Sequence, residues 1–596
     1  MARQVCRKEE SMKILLIAIN AKYIHSNLAV YCLRACAGEY REQVEIAEYT
    51  INHQKEEILA DIYRRKPDVA AFSCYIWNRE YVVGLIRDFH LLCPKVPVWA
   101  GGPEVSYDAV RFLQEYPQAA GVMAGEGERS FRALAEIYAR GLEAETELAG
   151  IPGLIWRRAS GEISENLPAK QMDLDEIPFV YESLEDFAHK IIYYESSRGC
   201  PFSCSYCLSS IDKRVRFRSL ELVFQELQFF LDAKVPQVKF VDRTFNCSHS
   251  HAKAIWRYLA EHDNGITNFH FEIAADLLDE EELEILAGMR VGLIQLEIGV
   301  QSVNPKTLQE IERVTEISRL AQRTAYVRGG NNIHQHLDLI AGLPYEDYES
   351  FIHSFNEVYA MAPQQLQLGF LKVLKGSKMH QMAGKYGLVY RQEPPYEVLY
   401  TRWISYEEIL KLKGVEEMVE VYYNSSQFAN VLEALEQCFP HPYGMFEALA
   451  RYYEENGLRG RNHSRMGRLE ILRSFAHEVD AERGALYDEL LLLDLYLREN
   501  SKSRPAWAKD LSVYREGFRE FYQSEAENHR YLKGYQGYTS RQMMNMTHGE
   551  VFFEDVLKTG GALPCRVVFD YHSRSPLTGN AAVWALAGGG AQIFEC

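Results

Sequence analysis

The chain has 596 residues, 47% of them apolar and 25% charged, which fits a soluble globular protein rather than a disordered or fibrous one. At roughly 150 residues per domain, three or four domains are expected. The 65 basic and 83 acidic residues leave a net charge of −18, which argues against a duplex-binding protein and leaves room only for a local basic groove. No apolar run approaches the length needed to span a bilayer.

Residues 1–11 form a charged leader. The apolar run behind it, Ile14 to Ile19, is too short for a secretory signal and reads as a strand, so the expected location is cytoplasmic. From 12 to 142, strand signals at Ile14–Ile19, Val44–Ala47, Val69–Ser73, Val96–Ala100 and Gly121–Ala124 alternate with helical stretches such as Leu28–Tyr40 and Arg79–Leu92. This pattern predicts a Rossmann-like parallel sheet with helices on both faces, which binds ligands at the carboxyl ends of its strands. Polar and Gly-rich segments fall at those ends. Residues 143–190 read as a linker with a hairpin near Ser160-Gly161 and an acidic stretch from Asp173 to Pro178.

From 191 to 390 the alternation resumes. Strands are expected at Ile191–Ser196, Gln237–Val241, Phe269–Ile273, Leu293–Ile298, His334–Ile340 and Gln365–Leu371, a full or partial βα barrel with its chemistry on the loops after the strands. Residues 391–596 read as mostly helical, with a short β stretch at Cys565–Tyr571 and a loose end at Ala587 to Gln592.

The 12 cysteines divide unevenly. Cys6, Cys32, Cys36, Cys74, Cys93, Cys247, Cys438, Cys565 and Cys596 are scattered, whereas Cys200, Cys204 and Cys207 are bunched directly after the first barrel strand. A mononuclear zinc site normally takes four protein ligands, and no fourth Cys or His is near. Three thiolates suit a [4Fe-4S] cluster with one open iron.

The C-x3-C-x2-C spacing, with Tyr206 before the last Cys, resembles the radical S-adenosylmethionine (SAM) superfamily. Lys239 to Asn246, Phe269 to Glu272, Leu296 to Ser302, Asp338 to Pro344 and Phe370 to Gly376 resemble its later strands in the same order. The resemblance implies a cluster on Cys200, Cys204 and Cys207, with SAM contacts from Tyr206, Asp242, Glu272, Glu297, Gln301, Ile340 and Gly342. The first domain is similar to the cobalamin-binding domain that precedes one large radical SAM class. Ser73-Cys-Tyr75, Gly101-Gly-Pro-Glu104 and Gly125-Glu-Gly-Glu128 carry that likeness. It implies cobalamin contacts at Asn20, Tyr23, His25, Ser73, Tyr75, Gly101, Gly102, Pro103, Glu104, Gly125, Glu126 and Gly127. Other cobalamin proteins often use an Asp-x-His-x-x-Gly loop whose His binds cobalt. Here Tyr23 replaces the Asp and Leu28 the Gly, so the partner that would orient an axial His is missing, and a hydrogen bond to the corrin or a structural role is favoured for His25.

Together these likenesses imply a cobalamin-dependent (class B) radical SAM methyltransferase. It would methylate an unactivated carbon of a small-molecule or peptide substrate through methylcobalamin and a 5′-deoxyadenosyl radical, with an external flavodoxin- or ferredoxin-like electron donor. Alternatives are a cyclase, rearrangement or epimerase reaction without methyl transfer, and an RNA-modifying enzyme. The acidic balance and lack of a second cysteine triplet argue against the RNA-modifying reading and against nucleic acid as a partner. A non-enzymatic cobalamin sensor would not need the barrel. Cys247 and Tyr206 are the candidate catalytic side chains. Cys32 and Cys36 read as core thiols, and Lys213 to Arg218 as a solvated loop or ion-paired segment. Tyr396, Tyr400, Trp403 and Tyr406 either cap the substrate pocket or pack helices.

Overall fold

In the computed structural model, residues 12–142, 144–501, 503–558, 560–587 and 590–594 are described. The charged leader, Cys6 and Cys596 lie outside them.

The first sheet has seven strands: β1 (Ile14–Asn20), β2 (Val44–Thr50), β3 (Val69–Ser73), β4 (Val98–Gly101), β5 (Gly121–Met123), β6 (Leu154–Arg157) and β7 (Ile163–Glu165), in the order β2-β1-β3-β4-β5-β6-β7. The first five are parallel. Every residue of β1 is buried, as expected for a strand covered on both faces. The hairpin expected in the 143–190 segment is real, but it is part of the sheet. β6 pairs antiparallel with β5, and β7 with β6. Leu154, Ile155 and Trp156 are buried there, so the segment closes the sheet edge instead of merely joining two domains.

The central sheet contains β8 (Ile192–Tyr194). A short pair follows it, β9 (Ser197–Arg198) and β10 (Arg216–Phe217). The sheet then continues with β11 (Gln237–Phe240), β12 (Asn268–Ile273), β13 (Ile294–Gln301), β14 (His334–Ala341) and β15 (Gln365–Phe370). Its order is β15-β14-β13-β12-β11-β8, all parallel, so the strands follow the chain around a partial barrel. The antiparallel β9–β10 pair lies outside this sheet and pins the neck of the loop that carries the three clustered cysteines.

A small pair, β16 (Val389–Tyr390) and β17 (Val398–Tyr400), leads into helices that include Tyr406–Met418, Pro442–Glu455, Arg465–Val479 and Gly484–Arg498. One hydrophobic core runs without a break from Tyr181 through these helices to Val583, so the barrel and the helical region share their interior. The chain ends in an antiparallel sheet of β18 (Thr547–Phe552), β19 (Cys565–Arg574), β20 (Ala581–Ala587) and β21 (Gly590–Phe594). The loose end expected at Ala587 to Gln592 is paired instead where it is described: β21 runs antiparallel to β20 with Leu586 opposite Ala591, and Gly588 and Gly589 lie outside the described residues. Small residues and glycines hid a strand whose pairing is set by its neighbour. Among the described residues no helix is long and apolar enough to cross a membrane.

Candidate active site between the two sheets

The carboxyl ends of both sheets face one cavity of about 1080 Å³. This is at the upper limit of the ~300–1,000 Å³ typical of small-molecule pockets, so it suits a ligand of macrocycle size. The first sheet contributes Asn20, His25, Ser73, Tyr75, Gly101, Gly102, Pro103, Gly125, Glu126 and Gly127, all expected from the sequence. Two expected residues do not line it. Tyr23 is 65% exposed on the outside of its loop. Glu104 is buried and turned away, accepting a 2.7 Å hydrogen bond from the Tyr396 hydroxyl. Tyr396 is therefore a packing residue, and Tyr400, Trp403 and Tyr406 also stay outside the cavity wall.

The glycines divide by cause. At Gly102 (φ +105°) a Cβ would lie 2.5 Å from the Cys74 carbonyl oxygen, so the fold itself demands glycine. At Gly125 (φ +79°) a Cβ would meet nothing within 4 Å and would take up cavity space. Trp77, not singled out in the sequence, stacks on Tyr75 with centroids 4.5 Å apart and planes 9° apart, giving the cavity a flat aromatic wall.

The glutamates of the Gly-Glu-Gly-Glu turn have a different task. Glu126 accepts two bonds from Arg216, one of 3.1 Å, and one of 3.0 Å from the Met172 amide. Glu128 accepts from Arg198 at 2.8 Å, and Arg198 also holds Glu195 at 2.7 Å. Arg198 and Arg216 face each other across the β9–β10 neck, so these ion pairs tie the cysteine loop to the first sheet. Burial works to raise the Glu126 carboxyl, but Arg216 prevails and holds it below the usual range. Arg218 likewise pairs with Glu226, so the basic run is ion-paired structure.

The loop between β9 and β10 places Cys200 and Cys204 in buried positions and Cys207 in a half-buried one. Gly199 (φ +102°) makes the turn possible, since a Cβ there would lie 2.5 Å from the Arg214 carbonyl oxygen. The amides of Cys200, Ser205 and Cys207 bond to the carbonyls of Asp212, Ile311 and Cys204. Arg313 reaches to 3.8 Å from the Cys204 sulfur and donates to the Gly299 carbonyl. Among the described residues, the metal-ligand triplet whose atoms all lie within 4.8 Å is His249, Asp279 and Glu282, not the three cysteines. Zinc–sulfur bonds of ~2.3 Å would draw thiolates closer than that, so the three thiols are not gathered as a single zinc ion would hold them.

Beside Cys204 lies a second cavity of about 140 Å³, walled by Glu272, Glu297, Gln301, Asp338, Arg243 and Arg313 among others. Adjacent guanidinium and carboxylate groups suit a zwitterion with further positive charge, which is the character of SAM. Burial pushes Glu272 up to about 7. Burial also opposes ionisation of Glu297, but His270 at 3.0 Å and Lys239 at 2.9 Å hold it well below the usual range. Gln301 sits on the β13 bulge at φ +72°, and its amide fills the space that a Cβ on Gly299 would need. Three residues expected at SAM lie outside this wall: Tyr206, Ile340 and Gly342. Tyr206 is half-buried, its hydroxyl 3.4 Å from the Arg313 guanidinium. Gly342 packs on Val398. A fourth, Asp242, is fully buried and accepts from the Ser196 amide and the Ser196 and Ser197 hydroxyls at 2.6–3.0 Å. Its carboxyl, raised by burial to about 6, secures the entry to the cysteine loop. Cys247 lines neither cavity, and burial pushes its thiol up to about 11.

The residue missed beside Asp242 is Arg243. Among the described residues it lines both cavities. Its side chain is 53% exposed, and its nearest carboxylate is Glu272 at 3.6 Å.

Comparison with known families agrees with this layout. The family model for the B12 binding domain matches residues 14–135, and that for the radical SAM superfamily matches 194–358. The chain carries a B12-binding domain followed by a radical SAM domain. Residues 384–564 of this radical SAM chain match a further family, described as a protein of unknown function (DUF4080). The cobalamin-dependent radical SAM methyltransferase TokK of Streptomyces tokunonensis is 27% identical over 48% of the chain and 44% of its own length, so the chain spans less than half of that relative. The cobalamin-dependent SAM radical enzyme OxsB with aqua-cobalamin bound shares the fold at TM-score 0.57 and 13% identity, over 82% of this chain and 80% of that one. The radical SAM methyltransferase TsrM from Kitasatospora setae, with cobalamin and a [4Fe-4S] cluster bound, gives TM-score 0.53 at 17% identity, over 65% and 78%.

Proposed function

We propose that the chain methylates an unactivated carbon of a small-molecule or peptide substrate. On this reading it works in the cytoplasm, draws electrons from an external flavodoxin- or ferredoxin-like donor, and does not act on nucleic acid. The observation that carries the reading is the shared wall: Arg243 borders both the large cavity and the cavity beside Cys204. A substrate carbon lying against Arg243 would be open to both sides. When bound, the cluster with SAM supplies one-electron hydrogen abstraction, and cobalamin supplies a transferable methyl group.

The chain's own part is to position and shield. Cys200, Cys204 and Cys207 would hold the cluster on a loop whose neck is fixed by Arg198 and Arg216. Glu272, Glu297 and Gln301 would hold SAM, and the Tyr75–Trp77 wall with Ser73 and Gly125 would seat the corrin. Arg313 would orient the Cys204 side. The likeness to TokK, a methyltransferase by name, supports methyl transfer over the other reactions.

Anaerobic reconstitution with iron, sulfide, cobalamin, SAM labelled on its methyl group and a reductant tests the proposal. The expected products are 5′-deoxyadenosine and a substrate carrying the labelled methyl. Deoxyadenosine without labelled product would move the assignment to a rearrangement or cyclisation, and failure to form deoxyadenosine would end it.

A further inference from the structure

A group of metal-ligating side chains stands on the rim of the barrel, apart from the cysteine loop. Among the described residues, one ring nitrogen of His249 and one carboxylate oxygen each of Asp279 and Glu282 lie within 4.8 Å of one another. His249 opens the helix His249–Glu261, which follows β11. Asp279 caps the helix Glu280–Ala287, which follows β12 and packs against the first.

Helix capping occupies only one oxygen of each carboxylate. Asp279 Oδ1 accepts from the Glu282 amide at 2.9 Å, and Glu282 Oε2 accepts from the Asp279 amide at 3.0 Å, a reciprocal capping box. The other two oxygens turn toward His249. Glu282 is fully buried, yet its Oε1 accepts no hydrogen bond. The His249 Nδ1 lies 3.0 Å from it, but the ring does not aim an N–H along that line. A buried carboxylate oxygen left without a donor is costly. A ring nitrogen and a carboxylate oxygen that face each other without sharing a proton are placed as two ligands of one cation.

The local charge agrees. Glu280 pairs with Arg323, and Glu281 pairs with Lys253 and Arg257. Lys253 also reaches Asp279 Oδ2 at 2.7 Å, and His249 Nδ1 lies 3.7 Å from that same oxygen. Among the described residues no lysine or arginine pairs with Glu282, whose one basic neighbour is His249. One imidazole and two carboxylates suit zinc, and three protein ligands leave a position for water. Calcium and magnesium prefer oxygen throughout and would leave the imidazole unused.

We propose that His249, Asp279 and Glu282 form a zinc site that braces the two loops bordering the cavity beside Cys204. Arg243, on the loop between β11 and the His249 helix, and Glu272, near the end of β12, both line that cavity. Asn246 already joins the two loops, donating to the Ala274 carbonyl at 2.9 Å and accepting from the Ala274 amide at 3.0 Å. The ion adds a second tie further out.

The test uses the full chain with its cluster reconstituted, and zinc alone as the ligand. Competition with a chromophoric chelator should find one zinc per chain that is lost in His249→Ala. Asp279→Asn keeps a capping acceptor and removes the charge, and it should weaken binding by about 10-fold or more. Lys253→Met removes a competing cation and should strengthen binding by about 10-fold. X-ray absorption at the zinc edge should show nitrogen and oxygen neighbours at ~2.0 Å and no sulfur at ~2.3 Å. No zinc uptake, equal uptake by wild type and His249→Ala, or a sulfur shell overturns the proposal.

Discussion

The clamp between the Gly-Glu-Gly-Glu turn and the cysteine loop can be tested with Glu126→Gln. The substitution preserves size and one acceptor for the Met172 amide but removes the charge facing Arg216 and Arg198. Breaking a buried ion pair costs about 3–5 kcal/mol. The loss is smaller here because the Glu126 side chain is 20% exposed and Arg216 keeps Asp212 at 3.0 Å and the Met172 carbonyl at 2.7 Å. A local destabilisation of about 2 kcal/mol remains, equal to roughly 30-fold faster exchange of amides released by local opening. Hydrogen exchange read by mass spectrometry, corrected for intrinsic rates, should show this at 199–217 and at 166–175. It should leave β1 and β3 unchanged. The carboxyl is held below its usual range, so its contribution is present above the ordinary carboxylate pKa and lost as pH falls through the depressed one. Variant and wild type should therefore converge in acid. Equal exchange of the cysteine loop in both proteins at neutral pH would refute the clamp.

Replacing Cys200, Cys204 or Cys207 by Ala should abolish the iron–sulfur absorbance, and a variant that keeps it is not missing a ligand. Gly199→Ala should cost about 1–3 kcal/mol of backbone strain, besides the clash with Arg214, and lower iron content without unfolding the first sheet; full iron occupancy would show that the neck tolerates a side chain. Arg243→Gln should leave cobalamin and iron content intact and reduce product methylation about 10–100-fold relative to SAM cleavage, the equivalent of one charged contact, with Lys restoring part of it. An unchanged ratio would remove Arg243 from the junction. Glu272 is pushed up to about 7 by burial, so at neutral pH the positive charge of SAM should expel its proton. Titration calorimetry in buffers of different ionisation heat should detect this, and Glu272→Gln should not show it. The same raised pKa favours the protonated fold, so stability contributed by this group is lost as pH climbs from the ordinary carboxylate range through 7.

The strand positions and the two-sheet order were legible in the sequence because long apolar runs in a parallel α/β fold have one stable reading. Side-chain direction at the strand ends was not. Asp242 and Arg243 are adjacent, and the chain turns one into the Ser196–Ser197 backbone and the other into the cavities. Tyr23 and Glu104 stand beside residues that line the large cavity and face away, Tyr23 to the outside of its loop and Glu104 inward onto the distant Tyr396 hydroxyl. Trp77 could have been found as the second aromatic of Tyr75-Ile76-Trp77, spaced to fall on one face. The Tyr193–His25 bond joins residues 168 apart in sequence, a contact that no local pattern announces. The hairpin of β6 and β7 was seen but assigned to a linker, since the strand it completes lies on the far side of a helix.

The continuity of the large core bears on how the chain is made. The cores on the two faces of the first sheet close with residues that precede 164, so this unit can settle while the rest is still being synthesised. The barrel has no such independence. Its interior is continuous with a core that takes in Leu490, Leu491 and Leu493 and reaches Val583, so that core is complete only when nearly the whole chain has left the ribosome. The cysteine loop therefore emerges early, anchored to a sheet that is already folded, and waits beside it for the walls of its own domain.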